Sequence, residues 1–165
     1  MTEPSPTDQY VEQVWETPPP DEIVRLTAAH VEAMEAIDDV DAVWQQAGMH
    51  HVLLRTIGRK SGKEHRVALP TWFDPEGRRV VVASFAGASE HPSWYLNLAD
   101  RSANPEVRCR VQGGREFWSE HEILEGHEYD RIWRLLVADR AWYDTYQSKT
   151  ERRIPLVRLP ETRPV

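Results

Sequence analysis

Five basic side chains lie within twelve residues of one another in a chain that is acidic overall. They are Arg55, Arg59, Lys60, Lys63 and Arg66. Only Glu64 opposes them, and Gly58 and Gly62 would let backbone N–H groups in the loop turn towards a ligand, beside the hydroxyl of Ser61. Such a loop can hold a phosphate or a carboxylate through charge-assisted hydrogen bonds. The alternative is an exposed hairpin loop whose charges are simply solvated.

A second candidate segment is residues 83–92, which reads ASFAGASEHP and consists mainly of small residues. Gly87 and its small neighbours would allow a flat ring to approach the backbone closely. Pro92 predicts the first turn of a helix, and free N–H groups at a helix start favour an anion. The alternative is an ordinary connection between a strand and a helix.

A third group of candidates is aromatic. Trp94 and Tyr95 follow the small-residue segment, while Tyr143 and Tyr146 are three residues apart near the C-terminus, beside Trp142. On a helix that spacing puts both tyrosines on one face. They could wall an apolar pocket and offer phenol hydrogen bonds, or they could be core packing.

Other classes of site find no support in the sequence. The seven histidines are scattered without the H-E-x-x-H spacing, so no metal site is expected. Cys109 is the single cysteine and is expected to be a buried thiol. The P-loop pattern, G-x-G-x-x-G and G-x-S-x-G are all absent, which removes the motif evidence for a nucleotide-binding loop, a Rossmann fold or a serine hydrolase.

The charge is unevenly distributed. Residues 1–50 carry eleven Asp and Glu against one Arg, whereas residues 51–165 carry sixteen against nineteen Lys and Arg. The overall charge of −7 argues against a nucleic-acid partner. No apolar run approaches transmembrane length and the N-terminus does not resemble a secretory signal, so we expect a cytoplasmic protein.

The pattern of elements predicts an α+β fold with mainly antiparallel strands. We expect helices within 21–47, from Pro92 to about 101, at 127–137 and at 141–149, and strands at 51–57, 64–73, 79–85, 106–112, 115–124 and 154–159. Consecutive strands joined by tight turns favour an antiparallel sheet or barrel. The predicted organisation is an extended leader at 1–20, an N-terminal helical extension at 21–49 and a β domain at 50–165.

Three blocks of sequence, in this order, resemble the deazaflavin-dependent nitroreductase family. They are LLRTIGRKSGKEHRVALP (53–70), VVASFAGASEHPSWYLNLADRSANPEV (81–107) and YQSKTERRIPLVRL (146–159). The resemblance covers roughly residues 50–160 and leaves the acidic N-terminal fifty residues outside it. It implies a split β-barrel with flanking helices and coenzyme F420, a 5-deazaflavin with a phosphodiester and an oligoglutamate tail, as the cofactor.

The resemblance also implies roles for particular residues. Cofactor-binding residues would be Arg59, Lys60, Ser61, His65, Arg66, Val67, Ala68, Leu69, Pro70, Val82, Ala83, Ser84, Phe85, Ser93, Trp94, Tyr95, Leu96 and Asn97. Catalytic candidates are Ser84, Tyr143 and Tyr146, with the tyrosines closing over the substrate. Two positions depart from the family pattern: Ala86 stands in a frequent Gly-Gly pair, and Phe85 replaces a frequent polar or basic residue. Both differences bear on ring placement and acceptor choice.

The expected reaction is hydride transfer from the reduced deazaflavin to a small electron-poor acceptor such as a quinone, a nitroaromatic or an activated alkene. One alternative is a protein that binds or sequesters a deazaflavin, FMN or haem without turnover. A second is a polyanion-binding module that uses the basic loop. The sequence leaves open a monomer or a homodimer, and a peripheral membrane contact if the acceptor is a lipid quinone.

Overall fold

The computed structural model describes residues 19–165. Its helices are α1 (Pro20–Ala36), α2 (Asp41–Trp44), α3 (Ser93–Ala99), α4 (Gly126–Asp139) and α5 (Trp142–Ser148), with a short 3₁₀ turn at Phe85–Gly87. Its strands are β1 (Gln45–Gln46), β2 (Met49–Ile57), β3 (Glu64–Pro70), β4 (Trp72–Phe73), β5 (Arg79–Val82), β6 (Val107–Arg110), β7 (Glu116–Ser119), β8 (Glu122–Ile123), β9 (Leu156–Arg158) and β10 (Arg163–Pro164). The predicted leader falls outside the described residues except for its last two prolines.

The strands form two antiparallel sheets. One follows the order β1-β2-β6-β7-β10, with β3 also paired to β2, and the other follows β4-β5-β9-β8. The long β2–β3 hairpin runs in register from His51 opposite Pro70 to Ile57 opposite Glu64, so the basic loop 58–63 forms its tip. The predicted α+β class with mainly antiparallel strands is confirmed, and the described strands form two sheets and no single closed barrel.

The β2–β3 hairpin leads into the second sheet through a break that the sequence pattern did not predict. The predicted strand 64–73 divides after Pro70, which has no N–H to continue a ladder. The amide of Thr71 instead donates to the carbonyl of His50 at 2.7 Å, and β4 begins in the other sheet. The predicted strand 115–124 divides in the same way into β7 and β8.

The N-terminal helical prediction is wrong at its C-terminal end. Instead of continuing to residue 47, the helical segment ends at Trp44, and Gln45–Gln46 pairs with β2. Ala47 and Gly48 have φ values of 52° and 74°, which make the two-residue turn of a β-hairpin. The first strand therefore begins at Gln45, five residues before the predicted start of the β domain at residue 50.

Three hydrophobic clusters hold these elements together. The cluster between the sheets takes residues from both, among them Val52, Val81, Cys109 and Val157. Burial raises the pKa of the Cys109 thiol to about 12, which confirms it as a buried, protonated thiol. A second cluster packs α4 and α5 on β4 and β5, and a third packs α1 on the β2–β3 hairpin. The hairpin, α1 and α5 are thereby fixed around one opening.

Candidate functional site

A cleft of about 570 Å³ lies where the β2–β3 hairpin, α1, α3, α5 and the segment after β5 meet. Seventeen of the predicted site residues line it: Arg59, Lys60, Ser61, His65, Arg66, Val67, Ala68, Leu69, Pro70, Val82, Ser84, Phe85, Ser93, Trp94, Asn97, Tyr143 and Tyr146. A volume of this size is in the range of small-molecule and cofactor sites. The structure therefore brings residues from three separated parts of the sequence to one place.

Three predicted site residues do not line the cleft. Ala83 is fully buried beneath it, and Tyr95 and Leu96 lie on other faces of α3. Eight lining residues were not predicted: Ile23, Val24, Thr27, Thr56, Gly58, Ala86, Pro92 and Trp142. The α1 residues could not be found from local pattern, because the contact of Thr27 with the backbone of Ala68 at 3.2 Å spans 41 residues of sequence.

The basic loop is fixed to α3 by a buried amide. The Arg59 guanidinium donates to Oδ1 of Asn97 at 2.8 Å, and the backbone N–H of Arg59 donates to the same oxygen at 3.2 Å. The amide nitrogen of Asn97 contacts the hydroxyl of Thr56 at 3.4 Å, and Asn104 ties the backbone of Ile57 to that of Asn97. The loop is thus held in a set position although most of its side chains are exposed.

In the described part of the chain, Arg59 and Lys60 of this loop are not neutralised by a nearby carboxylate. Within residues 19–165 no carboxylate oxygen lies within 4 Å of the Lys60 ammonium or the Arg59 guanidinium. Arg66 differs, because it pairs with Glu35 of α1, which raises the pKa of the Arg66 guanidinium. Ser61 accepts from the N–H of Lys63 at 3.2 Å and lies 3.3 Å from Nε2 of His65. Arg59 and Lys60 line the cleft and Lys63 does not, so Arg59 and Lys60 are the loop cations that can meet an anion there.

The segment after β5 turns sharply against α5. Phe85, Ala86 and Gly87 have φ values of 46°, 51° and 80°, three successive residues in the left-handed region. This conformation is unfavourable for the two residues that carry a Cβ. A Cβ at Gly87 would lie 2.9 Å from the carbonyl oxygen of Tyr146, so glycine is what allows the turn to rest on α5.

Two tyrosines and a tryptophan of α5 form an apolar wall of the cleft. Tyr143 and Tyr146 are each 4% exposed, and their ring centres are 6.2 Å apart at an interplanar angle of 65°. Burial raises the pKa of the Tyr143 phenol, which keeps it protonated at neutral pH. Trp142 packs 5.7 Å from Tyr143. The wall can contact an apolar ring, and Tyr143 adds a neutral phenol to it.

The family model described as F420H(2)-dependent quinone reductase matches residues 24–161. The chain belongs to this family. The family's name includes the enzyme class and the reduced cofactor, so the predicted oxidoreductase class and coenzyme F420 are confirmed. The match begins within α1, so the expectation that residues 1–50 lie outside the resemblance is wrong for residues 24–50.

Individual relatives support the assignment of this chain to the F420H(2)-dependent quinone reductase family. An F420H(2)-dependent quinone reductase of Mycobacterium tuberculosis strain H37Rv is 34% identical over 111 residues, 66% of this chain and 71% of the relative. The solved structure of an F420-H2 dependent reductase, FDR-A, is 37% identical with a TM-score of 0.50, covering 67% of this chain and 93% of that one. A structure described as a domain-swapped dimer is 37% identical with a TM-score of 0.51, covering 67% and 79%.

The cleft of this quinone reductase family member fits a cofactor with a flat ring and an anionic tail. Arg59 and Lys60 offer cations without carboxylate partners at one end, and the left-handed turn at Gly87 brings backbone close to the cleft at the other. In the part of the chain that the structure describes, no three His, Cys, Asp or Glu side chains come together as a metal site. None of the described helices is long and apolar enough to cross a membrane.

Proposed function

We propose that this chain binds reduced coenzyme F420 in the cleft and uses it to reduce a quinone-type acceptor that lies against the tyrosine wall. The observation that carries the proposal is that one cleft is lined by the half-buried Arg59, the exposed Lys60 and the buried side chains of Tyr143 and Tyr146. A cofactor with a polyanionic tail and an apolar ring requires both ends together. A site for a free anion alone would not need the apolar end.

The basic loop would hold the tail. Arg59, Lys60 and Ser61 can give charge-assisted hydrogen bonds to a phosphodiester or to glutamate carboxylates. Because Asn97 already fixes the backbone and side chain of Arg59, little conformational freedom of that arginine is lost on binding.

The inner end of the cleft, which is lined by Val82, Ser84, Phe85 and the α5 tyrosines, would hold the ring and the acceptor. When bound, the reduced deazaflavin supplies a hydride from its C5 to the acceptor. Val82, Phe85 and Trp142 line this end of the cleft, and with a ring bound against them their apolar surfaces would strengthen each polar interaction made there. A neutral phenol at Tyr143 or Tyr146 can donate a hydrogen bond or a proton to the acceptor oxygen as charge develops on it, so that a quinone leaves as a quinol. The Ser84 hydroxyl is the third donor at this end.

Two finer points belong to the proposal. If the acceptor is a lipid quinone, the cleft must meet a bilayer surface, and Val24 and Leu26 of α1 are 56% and 53% exposed, Val24 at the cleft itself. We therefore propose a cytoplasmic protein with peripheral membrane contact, to be tested by co-sedimentation with phosphatidylcholine vesicles.

The domain-swapped relative supports a dimer as one option, which light scattering on the purified chain would test.

The direct test is a titration of the full chain with coenzyme F420 and with FMN, followed by fluorescence quenching. We expect F420 to bind with roughly micromolar or tighter affinity and FMN to bind much more weakly. Addition of a soluble quinone to the complex with reduced F420 should then regenerate oxidised F420 at a rate proportional to protein. Binding without turnover would indicate a sequestering protein, and preference for FMN would overturn the proposal.

A further inference from the structure

Arg152, in the loop between α5 and β9, contacts the backbone on both sides of the left-handed turn. Its guanidinium donates to the carbonyl oxygens of Ala83 at 3.1 Å, Ser84 at 2.7 Å and Ala88 at 2.9 Å. A further N–H of the same group donates to Nδ1 of His91 at 3.1 Å. One side chain therefore spans residues 83–91, although it lies more than sixty residues away in sequence.

These contacts do not amount to an ion pair. Among the described residues no carboxylate lies within 4 Å of the Arg152 guanidinium, and burial lowers the pKa of that group. Taking a cation out of water to meet only neutral acceptors is unfavourable unless the hydrogen bonds are good. The planar fork of arginine can satisfy three carbonyl groups at once, which the single ammonium of lysine cannot. The Arg152 guanidinium therefore acts as a clamp: it holds the backbone at three carbonyl oxygens.

The turn that Arg152 holds is strained and lies at the cleft. Phe85 and Ala86 have positive φ values and line the cleft together with Ser84. Such conformations persist only where their surroundings impose them. On one side the turn rests against α5 through Gly87, and on the other the Arg152 guanidinium binds the carbonyl of Ser84, which also accepts from the Gly87 amide.

We propose that Arg152 is a positioning residue for hydride transfer: it holds the 84–87 turn in the conformation that places Ser84 and Phe85 at the inner end of the cleft. Arg152 is not itself a lining residue, so it acts through the turn and not on the cofactor or the acceptor. The inference rests on the proposed function, because the inner end is where that proposal places the reacting ring.

The first test needs no ligand. Amide hydrogen exchange of Gly87 and Ala88, which donate to Ser84 and Phe85 at 2.9 and 3.0 Å, reports whether the turn is closed. In Arg152→Ala we expect exchange at both amides to be at least about tenfold faster than in the natural chain. Arg153→Ala is the matched control, because the neighbouring Arg153 contacts the ring of Tyr129 and Asp130 instead of the turn. Its exchange at Gly87 and Ala88 should not change.

The second test is kinetic. In Arg152→Ala we expect kcat to fall roughly ten- to a hundredfold, since small displacements at a reacting centre have effects of that size, while the KM for a soluble quinone changes little. Arg152→Lys keeps the charge but not the fork, so it should retain the fold and lie between Arg152→Ala and Arg153→Ala in both tests. If Arg152→Ala does not fold, the comparison of Arg152→Lys with Arg153→Ala decides.

Exchange at Gly87 and Ala88 that is unchanged in both Arg152 variants, or a kcat within twofold of Arg153→Ala, would overturn the positioning role. Failure of the proposed function is a separate result: the natural chain would then not turn over reduced F420 at all. The exchange measurement would still show whether Arg152 closes the turn.

Discussion

The two ends of the cleft are built in different ways. The loop 58–63 at the outer end is closed by bonds within its own hairpin, such as that from the Gly58 amide to the carbonyl of Lys63 at 2.7 Å. Asn97 of α3 binds it only at Arg59, and several of its polar side chains are exposed. The turn 84–87 at the inner end is held by Arg152 and by α5, both distant in sequence. Exposed cations attract an anion over a distance and are screened by salt, whereas a clamped turn fixes positions.

Because of this difference, we expect the two ends of the cleft to control different properties of the protein. Changes at the basic loop should alter how tightly an anionic cofactor binds, with small effects on the chemistry once it is bound. Changes at the turn should alter the rate of the chemistry and the stability of the fold. Substitutions confined to one end of the cleft test that separation.

Alanine substitution of one glycine at each end compares them directly. In Gly87→Ala, the positive φ and the approach of the new Cβ to the Tyr146 carbonyl should together lower the free energy of unfolding by about 2–4 kcal/mol and abolish most turnover. In Gly62→Ala, the φ of 69° remains unfavourable but no atom lies within 4 Å of the new Cβ, so the cost should be about 1 kcal/mol. Urea unfolding measures both, and equal costs would contradict the tight packing of the turn.

Removal of one hydroxyl at the inner wall should affect turnover more than affinity. In Tyr146→Phe we expect kcat to fall by roughly tenfold or more if the phenol acts on the acceptor, while the dissociation constant for F420 stays within about twofold. Tyr143→Phe is the matched comparison, since that neighbouring phenol is equally buried. Unchanged turnover in Tyr146→Phe would leave that tyrosine a packing residue.

A smaller effect should appear with pH, and His91 at the inner end should contribute part of it, beside the buried His51 and His121, whose pKa values are also lowered. Burial, and then the charge of Arg152, lower the pKa of His91 below its usual 6.5, so in the folded chain it is a neutral acceptor. As pH falls below 6.5 the unfolded chain binds this proton first, so the free energy of unfolding decreases as pH falls. Amide exchange at Gly87 should become faster over the same range. His91→Gln keeps an acceptor without titrating, and a pH dependence identical to that of the natural chain would exclude His91 as its source.

The sequence predicts the outer end of the cleft better than the inner end. The basic loop is local: its charges, glycines and flanking strands lie within one stretch, and the β2–β3 hairpin places them where alternation and turn residues predict. The helix that carries Tyr143 and Tyr146 is also confirmed, because its boundaries depend on nearby residues. The functional roles of these residues stay predictions.

The inner end depends on contacts that no local pattern contains. Apolar periodicity indicates which face of an element is buried but not which element covers it. It therefore did not predict that α1 would supply Val24 and Thr27 to the cleft, or that Arg152 would bind the carbonyl of Ser84. The predicted strand 79–85 ends at Val82 for the same reason, since the chain leaves the sheet to form a turn stabilised from elsewhere.

In the proposed arrangement, one cleft holds the anionic tail of F420 at the basic loop and its ring at the turn. The most direct measurement is titration of F420, and of the same deazaflavin without phosphodiester and glutamates, into the natural chain, Lys60→Ala and Lys63→Ala. Lys63 is the matched control, because it belongs to the same loop but does not line the cleft. We predict that Lys60→Ala weakens F420 binding roughly three- to tenfold and leaves the tail-less ligand unaffected, while Lys63→Ala changes neither. Equal effects of the two substitutions, or an equal loss for both ligands, would contradict this placement of the cofactor.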